Sequence, residues 1–346
     1  MNEYGFELAL AAHLERERDD IVSRQLGTGI HGRRVMDLVC VEPGPAFDDR
    51  AVITSETIPP RAIESDVGPG RFRYWASAFE ESSDHARTIV ERAVACGFFE
   101  DERRNGRRYV RQAVRYPDWF GRLVGIENKP DLGSPGALQT QLLTDVSAGV
   151  LDAVILATNS YVTRTHRNRI PDEVGIWRFD PETGERDVLR EPQELSTDEP
   201  GIEILDRTSV RTSVRVITPT EKRRTRRRIA ERAYGKGWRT YDLPGCTQIT
   251  PATDERPDAQ ATAGLPYCSW ANSVVHPTTA CGPECEGFEA AESPPSVDQE
   301  RLRATRTRWE PDPDGRVRTQ SGLNQFTGSS GESVESRRDY TGRRNP

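Results

Sequence analysis

The stretch Gly121–Asp131, GRLVGIENKPD, constrains this chain more than any other. It reads as a short apolar strand that ends by presenting Glu127 and Lys129 two residues apart. The period-2 geometry of a strand puts those two side chains on one face. A carboxylate and an ammonium displayed together beyond a buried strand suit a divalent-metal phosphoryl-transfer site. The carboxylate can hold the metal, while the cation meets the phosphate or the attacking water. An ordinary exposed ion pair would use the same two residues, so the background composition matters. Of 48 cationic side chains only three are lysine: Lys129, Lys222 and Lys236. A lysine kept here, in so arginine-rich a chain, suggests a compact, deprotonatable charge that arginine could not replace.

A length of 346 residues allows one large domain or two to three smaller ones. Hydrophobic content of 34% and a mean hydropathy of −0.72 imply that part of the chain is unfolded or loosely packed. The net charge of −7, with arginine far above lysine, points to a salt-rich cytosol such as that of halophilic archaea. Overall acidity does not exclude a nucleic-acid partner, but binding then needs local basic patches and is heavily screened. No apolar run of about 18 residues exists, so no membrane span or membrane partner is expected. The first residues, MNEYGFELALAAHLERERDD, are acidic and lack a signal pattern, so a cytoplasmic location is expected. Six cysteines in such a chain argue against a disulfide framework, and Cys40 and Cys96 read as buried small hydrophobes. Oligomeric state is left open.

Taken in order, residues 3–18 place Phe6, Leu10 and Leu14 at spacing four, an amphipathic helix with Glu7 on the border of its apolar face. Glu7 is either a solvated edge residue or a carboxylate in unusual company. Residues 22–26 and 33–41 read as strands joined by the Gly-rich turn GTGIHG. Asp37 interrupts the apolar run of the second strand, where a carboxylate is costly unless paired or metal-bound. Residues 42–118 differ in character. Asp84–Gly97 is a helix ended by Gly97, and FFEDERRNGRRYVRQ is a hairpin around Asn105-Gly106. Helix then basic hairpin resembles the recognition helix and wing of a winged-helix module, with Arg103, Arg104, Arg107, Arg108 and Arg111 facing phosphates. A plain helix–hairpin with a solvated basic turn fits equally.

Beyond the GRLVGIENKPD strand, SPGALQTQLLTDVSAG reads as a helix with Ser134 as N-cap and Pro135 at its first position. Gln139 and Gln141 lie off its buried stripe and could hydrogen-bond phosphate or metal-bound water. DAVILAT (152–158) is then a fully buried central strand. VGIWRFDPETGERDVLRE is a hairpin, and Thr212–Ile217 can add a strand. Residues 219–238 form a helix dense in Lys222, Arg223, Arg224, Arg226, Arg227 and Arg228. It is either a nucleic-acid contact or docked on an acidic face of the same protein. Cys246, Cys268, Cys281 and Cys285 could complete a structural tetrahedral thiolate site for zinc, or hold an iron–sulfur cluster, or be scattered free thiols. From about Glu289 the chain is nearly devoid of apolar residues, which predicts a disordered tail over 289–346.

The order of helix with Glu7, two strands with Asp37 on the second, a strand ending Glu127-Asn128-Lys129, then helix and buried strand resembles the restriction-endonuclease-like, or PD-(D/E)XK, nuclease superfamily. The resemblance implies an α/β fold with an α-β-β-β-α-β core. It implies Asp37 and Glu127 as Mg²⁺ (or Mn²⁺) ligands and Lys129 as the catalytic lysine. Glu7 would match the first-helix glutamate, and Gln141 the glutamine of the RecB-like branch. The chain departs from the pattern in having Met36, not proline, before Asp37, and in the long insertion before the third strand. The whole chain is also similar to haloarchaeal proteins, a likeness that implies no activity. The expected organisation is 1–42 plus 119–158 as core, with 43–118 as an inserted winged-helix-like module. Residues 159–240 would be a hairpin and basic helix, and 241–288 a Cys-rich region. The expected function is metal-dependent phosphodiester hydrolysis of nucleic acid, DNA ahead of RNA, in repair, recombination or defence. The alternatives are a non-catalytic DNA-binding regulator on a nuclease-like core and a metal-stabilised scaffold that binds protein.

Overall fold

The computed structural model describes residues 3–31, 34–133, 136–208, 210–251, 264–276 and 281–313. Helix α1 (Glu3–Glu17) leads into the antiparallel pair β1 (Ile21–Gly27) and β2 (Val35–Pro43). The chain then leaves that sheet. Short helices α2 (Phe47–Ala51) and α3 (Pro60–Glu64), strand β3 (Arg73–Tyr74), helix α4 (Ser83–Ala95) and the hairpin β4 (Phe99–Arg104)–β5 (Arg107–Gln112) follow. The hairpin turns at Asn105 (φ 49°) and Gly106 (φ 76°), both left-handed, as a tight two-residue turn requires. β3 joins on the far side of β5, giving a three-stranded sheet in the order β3-β5-β4 around its own apolar core.

The chain returns through β6 (Phe120–Asn128), α5 (Leu138–Ala148), β7 (Ala153–Thr158), the single turn α6 (Arg164–Arg167), β8 (Gly175–Phe179) and β9 (Arg186–Arg190). These complete a six-stranded sheet in the order β1-β2-β6-β7-β8-β9. Strands β6, β7 and β8 run parallel and the other pairs antiparallel, so the protein is mixed α/β. After a ribbon of β10 (Gly201–Arg207) and β11 (Thr212–Ile217), helix α7 (Pro219–Lys236) crosses back over the sheet.

Every residue of β7 is buried, so this strand needs cover on both faces. On one face Leu123, Val154 and Leu156 pack against Leu138 and Leu142 of α5 and Ile229 and Ala233 of α7. On the other, Val124, Ile126, Ile155 and Ala157 pack against Phe6, Leu10 and Leu14 of α1. Full burial of each of the Val, Leu, Ile and Phe side chains stabilises by about 1.5–3 kcal/mol before conformational entropy is counted.

The structure corrects four sequence-based expectations. Helix α1 is buried all round from Gly5 to Glu15, because Trp238 and Tyr241 cover the side that an amphipathic helix would expose. The boundary expected at residue 158 is absent: β8 and β9 continue the same sheet, and α7 belongs to its core. Helix α5 starts at Leu138 with Ala137 as N-cap, while Ser134 and Pro135 lie outside the described residues. The disorder expected from residue 289 does not begin there. Ala290 bridges to Cys246, residues Gln299–Arg306 are helical, Arg303 is buried with its guanidinium on the Tyr234 carbonyl, and Trp309 is buried. Residues 314–346 lie outside the described residues. Among the described residues no helix is long and apolar enough to cross a membrane.

Three of the basic residues of α7 are held inward. Lys222 is buried and donates to the Ser196 carbonyl at 2.8 Å, Arg226 pairs with Asp152 at 2.8 Å, and Arg228 donates to the Gly29 carbonyl at 2.7 Å. Arg223 and Arg224 stay exposed, and Arg227 is half-buried 6.0 Å from the Tyr116 ring centre. The helix is docked on its own protein.

Candidate active site

At the end of the sheet where β2 and β6 meet α1 and α5, a cleft of about 640 Å³ opens. Glu7, Asp37, Glu127, Lys129 and Gln141 all line it, so five side chains from four elements and one strand end converge. The β2–β6 register of Leu38↔Ile126 carries one step further to set Asp37 opposite Glu127. Lys129 follows β6, and its backbone N–H extends the ladder to the Ala157 carbonyl at 2.9 Å. Its Nζ lies 3.5 Å from Glu3 Oε1 at the rim.

The carboxylates are held by a polar net that the sequence did not reveal. Gln25 Nε2 donates to Glu7 at 3.0 Å and to Asp37 at 3.2 Å, bridging the two. Gln25 has φ 53°, uncommon for a residue with a side chain, so the surrounding strand pair fixes it there. Asn128 donates its backbone N–H to Asp37 at 2.9 Å and its side-chain amide to Glu7 at 3.3 Å. Arg34 forks between Glu127 and Asp145, 2.6 Å from each. Arg24 lies 3.2 Å from Glu7 and over the Tyr4 ring, and Tyr4 in turn contacts the ring of His276 at 3.8 Å. Tyr4 and His276 also line the cleft.

Burial dominates the electrostatics. It pushes the Glu7 carboxyl up to about 7, against the opposing pull of Arg24. It pushes Glu127 up to about 7 as well, with the charge of Asp37 adding to the rise and Arg34 resisting it. Asp37 and Asp145 move up for the same first reason. Carboxylates whose ionisation is opposed by burial are a place where a cation would be welcome.

The sign for Glu7 follows from linkage. Its folded value near 7 lies above the ordinary 4.5, so its contribution to stability is full below 4.5 and is lost as pH rises to about 7. Glu7→Gln is therefore expected to match the wild type in metal-free buffer near pH 4.5 and to exceed it above pH 7, by at most about 3 kcal/mol. Urea midpoints across pH measure this, and parallel curves for the two proteins would remove the burial account.

The late cysteines also come together. Around the small sheet of β12 (Ile249–Pro251), β13 (Pro266–Cys268) and β14 (Ser273–Val274), Cys246, Cys268, Cys281 and Cys285 line one pocket of about 100 Å³. Cys268 Sγ accepts from the Ala271 N–H and Cys246 Sγ from the Glu289 N–H, both at 3.5 Å. Burial first, then the neighbouring thiols, raises the Cys281 pKa. Among the described residues, no three His, Cys, Asp or Glu side chains are arranged as a metal cage. Arg104 and Arg107 are exposed on the insert hairpin and Arg108 is half-buried, apart from the four-thiol pocket.

Residues 21–290 match a family described as a family of unknown function (DUF5787), and the chain belongs to it. No curated protein and no solved structure matches the chain.

Proposed function

We propose that this DUF5787 protein is a metal-dependent nuclease that hydrolyses phosphodiester bonds, with DNA as its substrate. The observation that carries the reading is the convergence of Glu7, Asp37, Glu127, Lys129 and Gln141 in one cleft. The element order supports it: α1, β1, β2, then β6, α5 and β7, with β6 antiparallel to β2 and parallel to β7, is the order that the nuclease resemblance implies. The insert supports a winged-helix reading in the same way. Its helix, short strand, helix and hairpin, with β3 beside β5, follow the winged-helix order.

The residues fit a hard divalent cation. Mg²⁺ keeps several waters and takes only one or two carboxylates, so it does not need a three-residue cage. Asp37 and Glu127 would hold it, since the strand register sets the two residues opposite each other across β2 and β6 and burial disfavours the charge on both. Bound there, Mg²⁺ or Mn²⁺ would lower the pKa of a coordinated water. Gln25 and the Asn128 N–H hold Asp37 at fixed orientation. Lys129 places its ammonium at the mouth of the cleft, where it can orient the attacking water and offset charge building on the phosphate. Gln141 offers an amide to the same space from α5.

The test compares wild type with Asp37→Ala on linear, circular, single-stranded and branched DNA and on RNA, with Mg²⁺ or Mn²⁺ in high KCl. Cleavage by wild type alone is the expected result. A second reading, a non-catalytic DNA-binding regulator, draws on Arg34. Its guanidinium already sits 2.6 Å from Glu127, beside the position that a cation would take. Retained binding with no cleavage by either protein would select that reading.

For the four thiols we propose a structural metal, zinc or an iron–sulfur cluster. Four cysteines line one pocket, two of them already accepting backbone N–H groups, and would make a soft donor set once drawn in around the ion, since they do not form a closed cage without it. Elemental analysis is expected to find about one zinc per chain, or iron with visible absorption, and Cys285→Ser is expected to lose it. A metal-free wild type prepared without chelator would end the proposal.

A further inference from the structure

The outer face of the insert sheet carries an arrangement that the proposed cleavage chemistry does not use. Along β5, Arg107, Tyr109 and Arg111 alternate with Val110, which is fully buried in the core of the insert. The register sets Tyr74 of β3 against Tyr109, and Arg104 and Glu102 of β4 against Arg107 and Tyr109. The exposed face therefore collects aromatic rings and guanidinium groups side by side. The Tyr74 and Tyr109 rings are 5.9 Å apart. Arg111 stands 4.7 Å over Phe72, Arg104 5.6 Å from both Phe72 and Tyr109, and Arg107 5.8 Å over Tyr74. Tyr74 is 36% exposed, and Phe72 and Tyr109 are half-buried.

These rings are not placed as core. A core ring turns both faces to apolar neighbours, whereas here the neighbours are guanidinium groups on a solvent-facing sheet. Two of the three arginines are balanced locally, Arg111 by Glu100 and Arg104 by Glu102, while Arg107 has no carboxylate partner among the described residues. A surface of alternating rings and planar cations matches a ligand that alternates flat bases with phosphates. An unstacked single strand is such a ligand. A duplex hides its base faces within the stack and would meet this surface only through its phosphates.

We propose that the Phe72–Tyr74–Tyr109 face is a stacking platform for unpaired bases of single-stranded nucleic acid, with Arg104 and Arg107 meeting the flanking phosphates. The proposal rests on the nucleic-acid part of the proposed function and not on cleavage. It narrows the substrate to strands that are single-stranded or locally opened. Stacking is not screened by salt as ion pairs are, so the platform works where Coulomb attraction alone is weak.

The experiment is fluorescence anisotropy of the full chain in EDTA, at low and at molar KCl. The probes are a fluorescein-labelled oligothymidylate of about 12 nucleotides and a labelled duplex of similar length. The single strand is expected to bind more tightly than the duplex, and the preference is expected to widen in molar KCl. Tyr74→Ala is expected to weaken single-strand binding by about tenfold and Tyr74→Ala/Tyr109→Ala by more, with duplex binding unchanged. Tyr74→Phe keeps the ring and is expected to bind as wild type, which separates stacking from a fold defect. Arg107→Gln is expected to lower the salt dependence by about one phosphate contact. Single-strand binding that survives in Tyr74→Ala/Tyr109→Ala, or a duplex preference in wild type, would overturn the platform while leaving the nuclease reading in place. No binding of either probe, with cleavage intact in Mg²⁺, would also overturn the platform alone. Loss of both would sink the two together.

Discussion

Cleavage is expected to fall about 10²–10³-fold when Lys129 is replaced by alanine, with nucleic-acid binding unchanged. The loss follows from position. Lys129 is two residues beyond Glu127, at the cleft mouth, and 27% of its side chain is accessible. Its ammonium can therefore reach a phosphate or a water held between Asp37 and Glu127. Binding is expected to survive because the proposed phosphate contacts lie on the insert. Lys129→Arg is expected to fail nearly as badly, since the planar fork is larger and cannot act as a point charge. The structure sharpens that argument through the other two lysines. Lys222 donates to the Ser196 carbonyl where Gly149 and Gly201 crowd it, and Lys236 donates to the carbonyls of Arg24 and Gln25. Lys222 thus sits where a compact ammonium is required, Lys236 serves backbone carbonyls, and Lys129 is the lysine whose place is a cleft. Single-turnover cleavage beside anisotropy measures the effect, and wild-type rates in Lys129→Ala would refute the catalytic role.

The largest expected loss of stability lies elsewhere, at Glu231. Both Glu231 and Arg50 are 0% exposed. Glu231 accepts from Arg50, from the Ile58 N–H at 2.9 Å and from the Tyr116 hydroxyl at 2.7 Å. Arg50 also donates to the carbonyls of Thr54 and Glu56 and lies 4.1 Å over the Tyr234 ring. Glu231→Ala leaves that guanidinium buried and unbalanced, at an expected cost of about 3–5 kcal/mol. Arg50→Met/Glu231→Leu removes both charges, and its expected cost is far smaller, so a double-mutant cycle in urea should show strong coupling. Glu231 is on α7 and Arg50 on α2, so the pair clamps the insert to the sheet. Were each single variant to lose less than about 1 kcal/mol, this clamp would be unimportant.

The candidate site was legible where a short-range period carried it. Asp37 stood out because it broke an apolar strand, and Glu127 and Lys129 because a strand puts them on one face. Asn105-Gly106 announced its hairpin through the left-handed backbone that such a turn needs. What escaped depends on distant segments. Glu7 read as an edge residue because nothing near it tells of Trp238 and Tyr241 closing over α1. Arg34 and Asp145 form a pair across 111 positions, and no pattern links them. The basic run of α7 suggested a surface, yet Asp152, Ser196 and Gly29 draw its charges inward. Sparse apolar residues after 289 hid a helix anchored by Arg303 and Trp309.

The closure of α1 by later segments has a consequence for biosynthesis. Phe6, Leu8 and Leu10 are made before Trp238, Tyr241 and His276, which cover or touch this helix and emerge more than 200 residues later. A nascent chain therefore holds an apolar helix with an exposed flank until those segments emerge. Contacts this distant in sequence form slowly, and a partly covered helix is a natural binding surface for a chaperone. The same delay withholds a finished cleft from the ribosome-bound chain. Glu7 meets its full enclosure only as the C-terminal segments dock, so the unfinished protein carries its carboxylates without the walls that tune them.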